Sequence, residues 1–332
     1  MTNLPKQTLS VASLFSGCGG ADLGMMGGFT FLGKRYARNR TQIIHASDID
    51  KDAVATYNMN FRHEAQVKDA RDISFINQDF DIVAGGFPCQ SFSTVNPLKD
   101  PEDDRGQLYR ELVRLGVEAD AKVIIGENVK GFYTLKSGMY FRKFRQLLED
   151  NGYTVFHRIL AAHDFGVPQK RERLFVVAFR RDQGISNFDF PKPTIPLVTG
   201  SPQYRPLESV IDSLQDVPQK YFFSERAVAG VKAAKPNMKR ALAQDLSQPC
   251  LTITSHLAKA SLNSRDPVLL VDPQRELYRR FTPLEASRIQ GFPDSFEWPD
   301  SDLKSYRQIG NAISPIVMWN LTRSVMRALA AG

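Results

Sequence analysis

A glycine-rich turn and a later acidic residue suggest a binding site for an adenosine-containing molecule. The turn, S-G-C-G-G at residues 16–20, directly follows the apolar run Val11–Phe15. Glycines let the backbone approach a ligand closely, and a following helix favours anionic groups at its N-terminus. Asp48 ends the next apolar run, where a carboxylate can accept both hydroxyls of a ribose. The pair indicates an adenosine-containing cofactor and leaves open which one, NAD included.

A cysteine follows a third apolar run, in a position where a nucleophile could act. Cys89 lies in G-G-F-P-C-Q-S-F-S, residues 85–93, after the run Ile82–Ala84. Ligands of open α/β sheets bind beyond the carboxyl ends of the strands. Most cysteines are small buried apolar residues. The polar neighbours of Cys89 argue against burial, and its place after a strand makes it a candidate nucleophile.

Two charged segments could complete such a site. Glu127, in G-E-N-V after another apolar run, could be a general acid whose pKa a low-dielectric pocket raises, or simply a helix cap or salt-bridge partner. The segment Q-K-R-E-R, residues 169–173, leads into a buried run. Alternation along an extended segment places Gln169, Arg171 and Arg173 on one face, which we expect to point into the crevice.

The elements that must position these residues alternate along the first 180 residues. Five apolar runs have the pattern of buried parallel strands: Val11–Phe15, Ile43–Ser47, Ile82–Ala84, Val123–Ile125 and Leu174–Phe179. Helical stretches lie between them at 51–60, 107–120 and 140–151. This alternation predicts a doubly wound α/β sheet.

The pattern changes near Asp189. Five prolines occur between residues 191 and 206, and no long helical period follows before residue 272. The clearest strand signals there are Thr252–Ser255 and Val268–Val271. We therefore predict a second, smaller and irregular domain, followed by helices over Pro283–Gln290 and Ile313–Ala330.

Composition excludes several classes of protein. The 332 residues carry a net charge of +7, which permits a polyanionic partner without requiring one. No apolar run approaches the 18 residues of a membrane span, and the N-terminus lacks a signal-peptide pattern. The three cysteines form no C-x-x-C pair, which argues against a disulfide scaffold or structural zinc. We expect a protein of the reducing cytosol.

These motifs, in this order, resemble those of the DNA (cytosine-5)-methyltransferase family. R-I-Q-G-F-P at 288–293 and Q-I-G-N-A-I at 308–313 resemble its ninth and tenth motifs, so the resemblance spans residues 11–315. It implies a Rossmann-like methyltransferase sheet with a catalytic and cofactor-binding domain at 1–185. It also implies a target-recognition domain at 186–274, and a return segment at 275–332 whose C-terminal helix packs on the catalytic domain.

The resemblance also implies catalytic roles. Cys89 would attack C6 of a cytosine flipped out of the duplex, Glu127 would protonate N3, and Arg173 would bind O2. Arg171 is counted with these catalytic residues. The methyl donor would be S-adenosyl-L-methionine, leaving S-adenosyl-L-homocysteine, and no metal is implied.

The binding residues implied by the resemblance form two groups. Those expected around the cofactor are Phe15, Cys18, Gly19, Gly20, Asp48, Ile49, Asp69, Ala70, Leu108, Asn311 and Ile313. Those expected to contact DNA are Gln90, Ser91, Ser93, Arg105, Thr252 and Thr254. The expected partners are double-stranded DNA with a short specific site and a cognate restriction endonuclease. We expect a monomer, in the bacterial cytosol or nucleoid.

Three alternatives remain open at this point. A tRNA cytosine-5 methyltransferase would share the catalytic motifs, although its usual Cys-Phe-Thr signature is missing here. An NAD-dependent oxidoreductase would share the glycine turn and ribose acid but would leave the other motifs unexplained. A catalytically inactive DNA-binding relative would not need Cys89, Glu127 and Arg173.

Two features depart from the family pattern. Ser13 stands where an acid often precedes Leu-Phe-Ser-Gly, which would alter the cofactor loop slightly. The segment 28–41 is long and carries Lys34, Arg35, Arg38 and Arg40. It is either a surface insertion or an additional basic contact.

Overall fold

The structure, a computed structural model, describes residues 7–88, 107–198, 201–233, 243–257 and 268–331. These residues form two compact units. The first comprises the described residues of 1–161, 172–192 and 315–332, and the second those of 162–171 and 193–314. The predicted boundary at residue 186 falls within the segment 172–192 of the first unit. Residues 275–314, predicted as part of a return segment, belong to the second unit.

The described residues contain strands and helices that we number in chain order. The strands are β1 (Leu9–Leu14), β2 (Phe29–Phe31), β3 (Lys34–Tyr36), β4 (Thr41–Asp48), β5 (Gln66–Val67), β6 (Ile82–Gly86), β7 (Val123–Val129), β8 (Tyr153–Ala161), β9 (Gln169–Lys170), β10 (Glu172–Arg180), β11 (Leu197–Val198), β12 (Ser201–Pro202), β13 (Cys250–Leu251), β14 (Leu269–Asp272) and β15 (Leu277–Arg279). The α-helices are α1 (Gly20–Met26), α2 (Lys51–Asn60), α3 (Tyr109–Glu118), α4 (Lys130–Thr134), α5 (Met139–Asp150), α6 (Glu225–Ala233), α7 (Pro283–Gln290), α8 (Asp302–Asn311) and α9 (Pro315–Ala331). Short 3-10 helices are Ala70–Asp72, Leu135–Gly138, Ala162–Phe165, Arg181–Gln183, Leu207–Val210, Leu214–Asp216 and Gln219–Tyr221.

One sheet of the first unit has the order β5-β4-β1-β6-β7-β10-β8. The strands from β5 to β7 run parallel, whereas β10 is antiparallel to both of its neighbours. The α/β class predicted from the sequence is confirmed. The prediction of a parallel strand at 174–179 was wrong in direction, because the strand β8 was missed. The apolar residues of β8 are interrupted by His157 and Arg158, and most residues of this strand are only partly buried.

The strand order reverses at β1. β4 and β5 lie on one side of β1, and β6 and β7 lie on the other. Such a reversal is a topological switch point, where ligands bind beyond the carboxyl ends of the strands. The glycine-rich turn follows β1, and Phe87 and Pro88 follow β6, so the sheet brings both chain segments to this edge.

The two faces of β1 are packed differently. Ala12 and Leu14 are buried in an apolar core with Leu112 of α3 and Phe144 of α5. Ser13 points to the other face, because side chains alternate along a strand. There it contacts α1, and α1 packs in turn on α9.

The second unit is built from short elements. The helix α6 was not predicted from the sequence. The prediction of a strand at 252–255 was wrong, because β13 ends at Leu251 and none of those four residues lies in a strand. Its core includes a fully buried salt bridge between Arg279 and Glu285, 2.6 Å long. Glu285 also accepts the backbone N–H of Thr282 and completes a capping box at the start of α7.

The described ranges lack two kinds of structural feature. No helix there has the length and apolar character needed to cross a membrane. In those same ranges, no cluster of three or more His, Cys, Asp or Glu side chains could hold a metal ion.

The helices α1 and α9 are so close at Gly24 that the effect of one added methyl group on stability can be predicted. A Cβ at Gly24 would lie 2.4 Å from the carbonyl oxygen of Pro315 and 2.7 Å from Cβ of Met318. We expect Gly24→Ala to lower the free energy of unfolding by about 1–3 kcal/mol, because overpacking outweighs the gain in helix propensity. Thermal unfolding measures this change. A raised melting temperature would show that α9 does not press on α1.

Candidate active site

The turn after β1 has an unusual backbone conformation that Asp48 stabilises. Phe15 has a φ of 53° and Gly17 a φ of 55°, in the left-handed region that glycine adopts most readily. The Asp48 carboxylate accepts the backbone N–H groups of Gly17 and Asp50, each at 2.8 Å. Burial raises the pKa of Asp48. Asp48 thus joins the turn to the start of α2, and its oxygens keep lone pairs for a ligand.

The next three residues of the turn are packed tightly. Gly19 has a φ of 93°, and a Cβ there would lie 2.3 Å from Cε2 of Phe61. Burial raises the pKa of the Cys18 thiol to about 12, so this cysteine is protonated and unreactive at neutral pH. Gly20 is buried and begins α1. These three residues can therefore contact a ligand through their backbone groups and a close surface fit, and not through a reactive side chain.

A second buried polar group lies beneath this turn and was missed in the sequence analysis. Asp22 of α1 is fully buried and accepts hydrogen bonds from Ser13 Oγ and Tyr57 Oη, each at 2.6 Å. Tyr57 Oη also hydrogen-bonds His63 Nε2 at 2.5 Å. Burial raises the pKa of Asp22 to about 6. An acid in an otherwise apolar helix was the signal that could have revealed it.

The predicted adenine contacts lie close to Asp48 along the chain. Ile49 is 68% exposed, which is unusual for a large apolar side chain directly after a sheet strand. Asp69 forms an ion pair with Arg71 at 2.7 Å, and this partner holds the pKa of Asp69 below its usual range. Ala70 is buried. Asp69 is therefore an ionised acceptor at neutral pH.

The remaining predicted cofactor residues are dispersed. Leu108 precedes α3 and packs, partly buried, against the apolar core of the first unit. Asn311 ends α8 and Ile313 follows it, and both belong to the second unit. Their place in a cofactor pocket stays a prediction.

Glu127 and Arg173 form an ion pair near the end of β7. Arg173 Nε lies 3.2 Å from Glu127 Oε1, and both side chains are largely buried. In the β7–β10 register Glu127 is opposite Phe175, which places Arg173 diagonally on the same face. A guanidinium has five N–H donors, so Arg173 can hold the carboxylate and a further acceptor together.

Asn128 fixes the backbone that leads to Cys89. Its side-chain amide is buried and donates to the carbonyl of Phe87 at 3.1 Å. Its side-chain oxygen accepts the N–H of Val129 at 2.8 Å. No role was predicted for Asn128 from the sequence, although it lies within the G-E-N-V motif.

Arg171 is not placed like Arg173. It belongs to the second unit, is buried, and donates to the backbone carbonyls of Ile253, Gly310 and Ala312 at 3.1–3.2 Å. Its neighbour Gln169 is also buried and donates to the Gln290 side chain at 2.7 Å. The predicted alternation is observed, since both of these side chains are buried and residues 170 and 172 are exposed.

Five predicted residues lie outside the part of the chain that the structure describes: Cys89, Gln90, Ser91, Ser93 and Arg105. The two other predicted DNA contacts are in the second unit. Thr252 Oγ1 donates to the carbonyl of Lys170 at 2.7 Å, and Thr254 Oγ1 accepts the N–H of His256 at 3.1 Å. Both hydroxyls therefore have partners within this unit.

The buried Asp22 predicts how stability depends on pH. Its pKa is raised to about 6, whereas an unfolded aspartate has a pKa of ~3.9. Between those values the folded state binds more protons, so the contribution of Asp22 to stability falls as the pH rises from ~4 to ~6. We expect the stability of Asp22→Asn relative to the wild type to increase by about 2–3 kcal/mol between pH 4 and pH 7.

Urea unfolding at both pH values measures this difference. Burial lowers the pKa of His63, which contacts the same network. The comparison is therefore repeated in a His63→Gln background to remove that titration. A difference between variant and wild type that does not change with pH would contradict the prediction.

Comparison with known proteins identifies the family of the chain. A family model for C-5 cytosine-specific DNA methylase matches residues 9–327. Type II methyltransferase M.Bsp6I of Bacillus sp. (strain RFL6) is 30% identical over 97% of this chain and 99% of its own length. Type II methyltransferase M1.ScrFI of Lactococcus lactis subsp. cremoris is 32% identical, over 95% of this chain and 77% of its own.

Solved structures show the same fold at low sequence identity. The Entamoeba histolytica methyltransferase EhMeth has a TM-score of 0.72 and 23% identity, covering 97% of this chain and 98% of that chain. The S. pombe Dnmt2 methyltransferase has a TM-score of 0.71 and 21% identity, covering 96% and 98%. With the family match across nearly the whole chain, the resemblance predicted from the motifs is confirmed. The chain belongs to the C-5 cytosine-specific DNA methylase family and is a DNA (cytosine-5)-methyltransferase.

Proposed function

We propose that this enzyme methylates C5 of one cytosine in a short, specific duplex sequence, using Cys89 as nucleophile and S-adenosylmethionine as methyl donor. The observation that carries the proposal is the Glu127–Arg173 ion pair. Gly86, the last residue of β6, is paired with Glu127, and Cys89 follows three residues later. Three residues of chain span at most roughly 11 Å. A base at this edge can thus meet a thiolate, an acid and a guanidinium.

These residue types suit the chemistry of cytosine. C5 becomes nucleophilic when the Cys89 sulfur bonds to C6 and the displaced electron pair reaches N3, which takes a proton from the carboxylic acid form of Glu127. Bound S-adenosylmethionine supplies an electrophilic methyl group for C5. A base then removes the C5 proton, the S–C6 bond breaks, and the N3 proton returns to Glu127. A thiolate both adds and leaves readily, and Arg173 stabilises charge on O2.

Features of the first unit support the adenosine part of the proposal. The Asp48 carboxylate keeps acceptor capacity for ribose hydroxyls beside a turn of positive φ. The exposed Ile49 follows directly and can cover one face of an adenine. Asp69 is ionised and can accept from the adenine amino group. The target base would have to leave the duplex to react, as methyltransferases generally require.

We assign Arg171 a positioning role instead of contact with the base. Its guanidinium is buried and holds the backbone at Gly310 and Ala312, on either side of Asn311. It also holds Ile253, between the two threonines expected to contact DNA. Arg171 would therefore orient both the motif that closes on the cofactor and the predicted recognition segment.

The remaining assignments concern recognition and biological context. We propose that the second unit contains the target-recognition segment, because residues 186–274 match none of the catalytic motifs. The relatives are named Type II methyltransferases, which supports a cognate restriction endonuclease and a place in the bacterial cytosol or nucleoid. The enzyme would act on DNA as a monomer.

A methylation map tests the reaction. The chain is expressed with a plasmid in a host that lacks DNA methylation, and 5-methylcytosine is located at base resolution. We expect methylation of one short motif, no methylation by Cys89→Ala, and at least a hundredfold slower transfer by Glu127→Gln because the proton donor is lost. The variants should still bind duplex DNA. A blank wild-type map with methylation of tRNA instead would contradict the proposal.

Replacement of Arg173 and of Arg171 by lysine should affect different properties of the enzyme. Arg173→Lys should lower kcat more than tenfold with little change in melting temperature, because the lost hydrogen bonds act on the reacting base. Arg171→Lys should cost about 2–4 kcal/mol of stability, because buried carbonyls lose their donor, and should raise KM for S-adenosylmethionine. Steady-state kinetics and thermal unfolding of both variants separate the roles. If Arg171→Lys lowered kcat as much as Arg173→Lys does, Arg171 would have to be assigned a catalytic role.

A further inference from the structure

Five cations of the first unit form a surface that the proposed mechanism does not use. We call this surface the basic edge and define it by two sets of residues, from the β2–β3 hairpin region and from α9: Lys34, Arg35, Arg38, Arg323 and Arg327. Four of them are exposed, and Arg323 is partly buried. The hairpin region is the long basic segment that the sequence analysis singled out.

Aromatic side chains join the hairpin to α9 in one continuous surface. Lys34 lies 5.2 Å from the ring centre of Tyr36, and Tyr36 meets Trp319 edge-to-face at 5.2 Å. Arg323 lies 4.9 Å from the ring centre of Trp319 and donates to Asn39 at 3.4 Å. Cation–π contacts of this kind help to hold Lys34 and Arg323 in position beside the two rings. Lys and Arg clustered on one face are typical of nucleic-acid surfaces.

The positive charge of the basic edge is not balanced nearby. No Asp or Glu occurs between Asp22 and Asp48, and none occurs after Asp302. Among the described residues, none of the five cations forms a salt bridge with a carboxylate. Burial and the neighbouring Arg327 charge lower the pKa of Arg323, as expected where like charges lie together. An uncompensated cluster of this kind attracts a polyanion.

The hairpin region of the basic edge leads into β4 beside the amino end of β1. The carboxyl ends of β1, β6 and β7, where the reaction is proposed, lie at the other end of these strands and are called the reactive edge here. The backbone N–H of Leu9, the first residue of β1, donates to the carbonyl of Arg40 at 2.9 Å. The glycine-rich turn begins after Leu14, at the other end of β1. Six residues of strand span ~20 Å. The phosphates around a target base at the reactive edge are therefore not the ones that the basic edge would contact.

We propose that the basic edge binds the phosphate backbone of a second stretch of duplex DNA, away from the target base. The enzyme's substrate is a polyanion of this chemistry, and long DNA supplies such stretches at high local concentration. Contacts to phosphate carry no sequence information but add affinity that depends on salt. The basic edge would thus keep the enzyme on long DNA between encounters with its target.

Charge-neutralising variants test this proposal. Lys34→Gln, Arg35→Gln and Arg38→Gln are combined, because all three side chains are exposed and lie away from the proposed active site. The matched control combines Arg142→Gln, Lys143→Gln and Arg145→Gln on the exposed side of α5, with the same change in net charge. A third variant, Arg323→Gln, tests the α9 side of the surface.

Two measurements are made on each variant. Binding to a long duplex without a target is titrated against salt, and methylation is measured on a plasmid and on a short duplex with one mapped target. We expect the slope of log K against log salt to become shallower by up to ~3 for the triple hairpin variant, at about 0.9 per lost phosphate contact. Its kcat/KM should fall severalfold on the plasmid and stay unchanged on the short duplex.

Methylation of the short duplex depends on the active site alone. This measurement therefore distinguishes a failure of the proposed reaction from a failure of the proposal about the basic edge. A hairpin variant that keeps the wild-type salt slope would overturn the proposal, as would an equal change in the α5 control. A variant that loses self-association in sedimentation while its salt slope is unchanged would assign the surface to protein contact instead.

Discussion

The register between β1, β6 and β7 is the constraint on which the site depends. Leu14 of β1 pairs with Gly85, and Gly86 pairs with Glu127 of β7. Three segments distant in the chain therefore end at one edge. A slip of one residue would turn the Glu127 side chain to the opposite face and away from Arg173. The strands β1, β6 and β7 are buried on both faces. The apolar core therefore fixes the register that places Glu127 beside Arg173.

The second unit depends on a different kind of interaction, a set of buried polar groups that satisfy one another. Gln169 accepts the N–H of Ile253 and donates to Gln290, while Arg171 binds three carbonyls. Such groups are costly to bury without partners, so the segments that supply these partners must close together. Gly310 lies so close to Thr254 that a Cβ would come within 2.2 Å of its carbonyl carbon. This network links segments of three motifs, Q-K-R-E-R, R-I-Q-G-F-P and Q-I-G-N-A-I, whose separate sequences do not predict these contacts.

Local patterns were sufficient to predict much of the fold and part of the site. Helix α2 was predicted with its observed bounds, and the strand ends carrying Asp48 and Glu127 followed from short apolar runs. What could not be predicted depends on contacts between distant residues. The direction of β10 is set by β8, and the buried environment of Asp22 is set by Ser13 and Tyr57. Periodicity reports which face of an element is buried and not which partner buries it.

The division of the chain has a consequence for how the sequence recognition proposed for the second unit could diversify. The chain leaves the first unit after Lys192 and re-enters it at Pro315, while only the ten residues 162–171 of the second unit lie elsewhere in the sequence. Most of the second unit is thus one continuous insertion between two fixed attachment points. Recombination could exchange such a cassette in a single event and leave every strand of the seven-stranded sheet encoded as before. Each newly acquired insertion would have to pack against the short segment 162–171, which belongs to the second unit but is encoded separately.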